Sequence, residues 1–266
     1  MIILQPPSGK VVRKMEKING YDLETIGEFN TMPEFEQKEA IKMLQKGVKI
    51  VDIQLYCQKS SKRRAVRQLR EKANMSKRFS QRTFENFNAY TQELKNAYEK
   101  AKKYSNLLPD IIKDGTNIVF EGRGNVGVGK THLAYSIANK ALDIGIPTIT
   151  INSMELVETL NFTNTDKKTK QTLFNIDLLV IDDLGKECAY DWILSEIYKL
   201  LNYRYENCKP TAITTEDTIS TLRQMYKIKS SNGTMKDHGK SLFSRICENV
   251  VIVPVIGEDY RIKRFN

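Results

Sequence analysis

Histidine and cysteine are scarce in this 266-residue chain, and those present are scattered. The only histidines are His132 and His238. The four cysteines, Cys57, Cys188, Cys208 and Cys247, form no C-x-x-C pair. A zinc site needs several such ligands at close spacing, so no zinc is expected. Isolated cysteines fit reduced thiols, which points to a cytoplasmic protein. No run of eighteen apolar residues exists, so no helical membrane span is expected. The opening Met1-Ile2-Ile3-Leu4-Gln5-Pro6-Pro7 is too short for a signal peptide and lacks its basic leader. Internal repeats and low-complexity segments are missing too. What remains is the composition of a soluble globular protein, long enough for one large domain or two small ones.

Charge is plentiful but uneven. Residues 1–105 hold 22 Lys+Arg against 12 Asp+Glu, and residues 106–266 hold 20 of each, so the net charge of +10 sits entirely in the first part. Such asymmetry suggests that this part meets nucleic acid or an acidic protein. The surplus is densest from Lys59 to Arg82, where ten cations face one acid, Glu71. Ala65, Val66 and Leu69 give that stretch a short apolar edge, as in a short helix. A solvated helix face and a phosphate-contacting face fit it equally well. No aromatic residue interleaves before Phe79, so a platform for stacking bases is not indicated.

Further signals organise the rest of the chain. A helix is expected from Pro33, with acidic Glu34 and Glu36 at its positive end and Gly47 as its stop. The apolar segment Val48 to Tyr56 reads as helix or strand. Helices are expected at Tyr90–Leu107, Lys130–Ile144, Met154–Leu160, Lys167–Phe174, Trp192–Tyr205 and Leu242–Cys247. Strands are expected at 117–122, 148–151, 178–181, 209–215 and 250–255, the last ending near Pro254 as suits a strand end or an edge. Ser230 to Lys240 reads as a mobile loop. Strands alternating with helices argue for an α/β fold on a parallel sheet.

Two stretches carry chemistry. Gly124-Asn125-Val126-Gly127-Val128-Gly129-Lys130-Thr131 fits the phosphate-loop pattern G-x-x-x-x-G-K-[ST]. A loop that wraps a polyphosphate must turn its backbone N–H groups inward, which glycine does cheaply. Lys130 can reach the β and γ phosphates, Thr131 can offer its hydroxyl to Mg²⁺, and the following helix N-terminus favours negative charge. An apolar strand precedes the loop and an apolar-striped helix follows it, the setting such a loop requires. About fifty residues on, Leu178-Leu179-Val180-Ile181 runs into Asp182-Asp183, which reads as a Walker B element. Asp182 would hold Mg²⁺, and Asp183 would orient the water that attacks the γ phosphate.

From about Met75 to Arg261 the chain resembles the DnaC/DnaI/IstB group of AAA+ ATPases, the replicative helicase loaders and their transposition relatives. Four blocks carry the resemblance: Arg78-Phe79 with Thr83-Phe84-Glu85-Asn86-Phe87; Gly129-Lys130-Thr131-His132-Leu133-Ala134; Leu178 to Gly185; and Ser244-Arg245 with Gly257-Glu258-Asp259-Tyr260-Arg261. The resemblance implies an α/β P-loop AAA+ domain without a large lid at 76–266. It also implies a small basic helical domain at 1–75 that grips a hexameric helicase. ATP and Mg²⁺ are the implied cofactors, and single-stranded DNA and further copies of the chain the implied partners. Arg245 falls at the arginine-finger position, Thr214 and Thr215 at the sensor-1 strand end, and Arg78 and Phe79 near the expected adenine pocket. The family often has asparagine where this chain has Glu216, a carboxylate that would repel the γ phosphate unless it points away or Thr215 does the sensing. Some relatives bind zinc in the N-terminal domain, whereas Cys57 has no partners for it. A transposition-type DNA-remodelling ATPase is the nearest alternative. A P-loop kinase is the alternative from another class; it would need its own substrate pocket and no arginine acting across subunits.

Overall fold

Apolar runs too short for helices, bounded by polar turns, become strands buried on both faces, and helices then have to cover both faces. In the computed structural model this is the outcome for the larger part of the chain. It describes residues 18–263 apart from 19, 22, 162–166, 188 and 230–234. The elements in chain order are α1 (Glu34–Gln45), α2 (Ile50–Lys72), α3 (Gln92–Asn106), α4 (Leu108–Asp114), β1 (Asn117–Glu121) and α5 (Lys130–Asp143). Then come β2 (Thr148–Asn152), α6 (Ser153–Leu160), α7 (Lys167–Asn175), β3 (Leu178–Asp182), α8 (Asp191–Glu206) and β4 (Thr211–Thr215). The last are α9 (Ile219–Met225), β5 (Lys227–Lys229), β6 (Met235–Asp237), α10 (His238–Cys247), β7 (Val250–Pro254) and α11 (Tyr260–Lys263). Among the described residues no helix is long and apolar enough to cross a membrane.

The chain divides into two compact units, Met1–Gln68 and Leu69–Asn266. The first has its own core, in which Leu23, Ile26, Phe29 and Met32 pack with Ala40 and Leu44 of α1 and Ile53 and Cys57 of α2. Pro33 caps α1, with Glu34 and Glu36 in its first turn. From Ile50 the ambiguous segment and the basic stretch as far as Lys72 join in one helix of 23 residues. Ile53, Cys57 and Ser60 form its buried stripe at helical spacing, so the expected short helix is the later half of a long one. Two of its cations are already engaged. Arg64 pairs with Glu36, and Arg70 reaches Asp143 at 2.6 Å.

In the second unit five parallel strands lie in the order β2-β3-β4-β1-β7. All five residues of β1, β3 and β4 are buried. Alternate side chains feed two cores. Ile118, Phe120, Leu178, Val180 and Ala212 face α3, α4 and α5. Val119, Leu179, Ile181 and Ile213 face the side packed by α6 to α10. Pro254, which cannot donate to a ladder, ends the edge strand β7.

The expected loop from Ser230 to Lys240 needs correction. Residues 230–234 lie outside the described residues, but 235–237 form β6, antiparallel to β5, and 238–240 open α10. Asp237 caps that helix by accepting the Lys240 N–H at 2.8 Å, so α10 begins four residues before the apolar stripe announces it. Short helices α4 and α9 were also beyond what the pattern predicts.

One buried cation ties the second layer together. Arg204, 1% exposed, donates to the carbonyls of Leu173, Ile176 and Pro210 and to the Thr211 hydroxyl, joining α8 to the ends of α7 and the start of β4. Burial pulls its pKa down to about 9, which still leaves it charged at neutral pH. Arg204→Leu strands those acceptors, each costing about 1–3 kcal/mol when left unpaired. The variant should show a clearly lower urea midpoint with an unchanged slope; a midpoint equal to wild type would show that water replaces the guanidinium.

Candidate functional site

The phosphate-loop sequence leaves β1 at its carboxyl end and enters α5. Gly124, Gly127 and Gly129 have φ of 83°, 66° and 104°, the left-handed region that side chains avoid. The loop is pinned to the end of β4: Gly122 donates its N–H to the Thr215 carbonyl at 2.9 Å, and Gly124 donates to the Glu216 carbonyl at 2.7 Å. Lys130 is buried, and its ammonium donates to the Asn125 carbonyl across the loop at 2.6 Å. Burial pushes the Lys130 pKa down, while Glu216 and then Asp183 pull it back. Both carboxylates therefore act on the same ammonium.

The paired acids stand where β3 ends. Asp182 is buried, and its Oδ1 accepts from the Thr131 hydroxyl at 3.0 Å and the Thr214 hydroxyl at 2.5 Å. Burial raises its pKa, the two hydroxyls oppose this, and the neighbouring Asp183 adds to it. The Thr214 hydroxyl in turn accepts the Asp183 N–H at 2.8 Å. Asp183 sits at φ 58°, turning the chain away from the sheet. Its carboxylate meets Lys186 at 3.0 Å, and Lys186 also meets Glu216 at 2.7 Å.

The predicted residues are thus partly brought together. Gly124 to Thr131, Asp182 and Asp183 share one carboxyl edge of the sheet. Thr215 is buried with its hydroxyl accepting the Asp217 N–H at 3.2 Å, and the hydroxyl on the acids is that of Thr214. Phe79 stacks on Tyr135 of α5 with ring centroids 4.4 Å apart, and Arg78 is exposed. The aromatic ring against the loop is instead Phe87: a Cβ on Gly129 would fall 2.7 Å from it. Arg245 lies on α10, its Nε donating to Asn202 Oδ1 at 3.1 Å and its guanidinium 5.1 Å from the Tyr205 ring centre, both on α8. The closing block reaches the loop as well. Tyr260 donates its N–H to the Gly127 carbonyl, and a Cβ on Gly127 would fall 1.8 Å from Asp259 Oδ1. Of the residues making these contacts, Thr214 is marked in sequence by the sensor-1 strand end and Phe87 by the block before the core, while Lys186 merely follows the Walker B block.

This arrangement suits a polyphosphate with a divalent cation. Among the described residues no cluster of three or more His, Cys, Asp or Glu could cage a metal alone. Mg²⁺ bound with phosphates needs only one or two carboxylates. Asp182 fits that part: it is a buried carboxylate satisfied by hydroxyls, with no ion-pair partner among the described residues, and one of those hydroxyls is on the loop itself.

The strand order, the glycine loop opening α5 and the acids ending β3 define an α/β P-loop domain of the AAA+ type. The chain belongs to the IstB-like ATP binding protein family, whose model it matches over residues 12–266. The phage-like element PBSX protein XkdC of Bacillus subtilis (strain 168) is 33% identical over 169 residues, 60% of this chain and 63% of that protein. The replicative helicase loader DnaC of Escherichia coli (strain K12) is 29% identical over 153 residues, 55% of this chain and 58% of that protein. The chain spans less than two thirds of the length of either relative. Among solved structures, DnaI matches with a TM-score of 0.58 at 19% identity, covering 70% of this chain and 94% of that one. The DnaC helicase loader matches with a TM-score of 0.57 at 24% identity, covering 68% and 99%. These two establish likeness of fold.

Thr214 makes a prediction independent of any ligand. Thr214→Val keeps the shape but removes an acceptor from the Asp183 N–H and a donor from the buried Asp182 carboxylate. Stability should fall by about 1–3 kcal/mol, whereas Thr215→Val should cost less. Denaturant midpoints of the two variants check this order, and the reverse order would reassign the supporting hydroxyl.

Proposed function

We propose that the chain is a helicase-loading ATPase: it binds ATP with Mg²⁺ at the 124–131 loop, assembles when ATP is bound, and places a hexameric replicative helicase on single-stranded DNA in the cytoplasm. Residues 1–75 form the partner-binding domain and 76–266 the ATP-binding domain. The observation that carries the reading is the meeting of Thr131 and Asp182 beside Lys130, in a chain of the IstB-like ATP binding family. That pairing supports a nucleotide site; the likeness to DnaC supports the loading role.

Each residue then has a task. The backbone N–H groups of Val126, Gly127, Val128 and Gly129 surround the phosphates, while those of Gly124 and Asn125 hold the loop in shape on the Glu216 and Gly122 carbonyls. Lys130 leaves the Asn125 carbonyl for the β and γ oxygens, a charge-assisted exchange that gains strength. Thr131 and Asp182 hold Mg²⁺, which neutralises phosphate charge when bound. Asp183 orients the attacking water. Arg78 and Phe79 serve the adenine in this reading, Phe79 stacked on Tyr135 of α5, with Phe87 beside them against the loop. Arg245, held against Asn202 and Tyr205 of α8, serves the ATP of a neighbouring copy, a task that suits a planar, permanently charged, bidentate group.

Lys130→Ala should lose ATP affinity, and Asp183→Asn should bind ATP but turn it over poorly. Calorimetry and phosphate release separate the two, and unchanged ATP affinity in Lys130→Ala would remove the loop from the site. Arg245→Ala should bind ATP normally yet lose the turnover that rises with protein concentration. Mixing it with Lys130→Ala should restore part of that activity, because each chain supplies what the other lacks. Normal concentration-dependent turnover in Arg245→Ala would end the finger assignment. Co-purification with a hexameric helicase supports loading; binding to DNA with no helicase captured would favour the transposition-type role.

Exposed cations of α2 supply the DNA contact in this reading. Replacing Lys59, Lys62 and Arg63 with Ala should flatten the dependence of single-strand affinity on salt, which runs at about 0.7 log units per log unit of salt for each phosphate neutralised. An unchanged slope would leave that helix face to solvent or to the helicase.

A further inference from the structure

Five charges crowd the carboxyl edge of the sheet where α5 begins. Asp182, Asp183 and Glu216 are negative, and Lys130 and Lys186 are positive. Glu216 is the last of these anyone would place beside a triphosphate. Its backbone is fixed there, since its carbonyl accepts the Gly124 N–H of the loop at 2.7 Å. Its side chain is half-exposed and among the charges acting on the Lys130 ammonium it has the largest effect.

Resting on the nucleotide-site reading, we propose that Lys186 is a positioning residue that cancels Glu216 and so lets the site accept a γ phosphate. The turn after β3 delivers it. Asp183 at φ 58° and Gly185 at φ 104° reverse the chain within three residues, and the Lys186 N–H closes the turn on the Asp183 carbonyl. Glu187 locks the turn from below. It accepts the Gly185 N–H at 2.9 Å and also the buried Tyr226 hydroxyl. The Lys186 ammonium then spans Glu216 at 2.7 Å and Asp183 at 3.0 Å. Its side chain is 45% exposed, so the pairs contribute little to folding. Their consequence is in the local potential. Without Lys186 the five charges become three carboxylates facing one ammonium, just where the outermost phosphate adds more negative charge.

The repulsion is specific to the γ phosphate, and that makes the assignment testable. ATP and ADP affinities, each with Mg²⁺, are measured by calorimetry for wild type and for Lys186→Ala, Glu216→Asn and the double variant. Thermal unfolding checks that each is folded. Lys186→Ala should weaken ATP roughly ten-fold or more, the effect of one unit charge over several ångströms near a protein surface, and ADP much less. The double variant should regain ATP affinity, because removing Glu216 removes what Lys186 cancels. Equal weakening of both nucleotides, no weakening, or no recovery in the double variant would overturn the assignment while leaving the nucleotide site intact. If wild type binds neither nucleotide, the reading of the site falls first and this inference with it.

Discussion

A buried carboxylate with no ion-pair partner among the described residues has to be held by hydroxyls, and Asp182 imposes that condition on three elements at once. It ends β3, takes a hydroxyl from Thr214 on β4, and takes another from Thr131 in the first turn of α5. These contacts exist only because β3 lies beside β4 and β4 beside β1, from which the loop springs. All three strands run parallel, so their carboxyl ends share one edge. The order of strands thus sets the distance between a glycine loop and an acidic turn some fifty residues apart. Thr214 does double duty, since the hydroxyl that supports Asp182 also receives the Asp183 N–H.

Local chemistry was legible in the sequence where a short pattern forces a conformation. Glycines at 124, 127 and 129 announce left-handed backbone, and all three adopt it. The unbroken apolar run before Asp182 announces a strand covered on both faces, and every residue of β3 is buried. Positions decided by tertiary packing were not legible. Val48 to Tyr56 is apolar enough for either element. It becomes helix because Ile53, Cys57 and Ser60 must present one stripe to the core of the first unit. Thr214 and Thr215 look interchangeable in sequence. Strand alternation turns one hydroxyl toward the acids and leaves the other for the Asp217 N–H. Phe87 and Phe79 both belong to the segment before the core. Only the path of the chain over α5 decides that one meets Gly129 and the other Tyr135. The β5–β6 pairing leaves no trace in periodicity, because three residues a side are too few to show any.

Lys186 and Glu216 illustrate a different limit. A motif describes residues one at a time, and by that measure Glu216 is a misplaced charge. The structure describes pairs. Glu216 is accompanied by a base three residues past the paired acids, delivered by a turn with glycine at 185. A charge unfavourable alone can be neutral in a pair, and only the distance between the two reveals it.

The position of Arg245 follows from the same network. The turn that carries Lys186 is anchored through Glu187 to Tyr226, which leads directly into β5. The hairpin runs into α10 without a break, and α10 approaches α9 so closely that a Cβ on Gly239 would fall 2.1 Å from the Arg223 carbonyl oxygen. His238 in the first turn of α10 meets Asp191 at the start of α8 at 2.7 Å. Helices α8 and α10 are therefore tied at both ends, α9 is tied to α10 through its last turn, and all three share one core with the sheet. Arg245 rides on that block, held against Asn202 and Tyr205. From the turn that carries Lys186 a continuous path of packed and hydrogen-bonded groups leads to this arginine. Arg245 is thereby fixed in place by the same block that anchors the turn after β3.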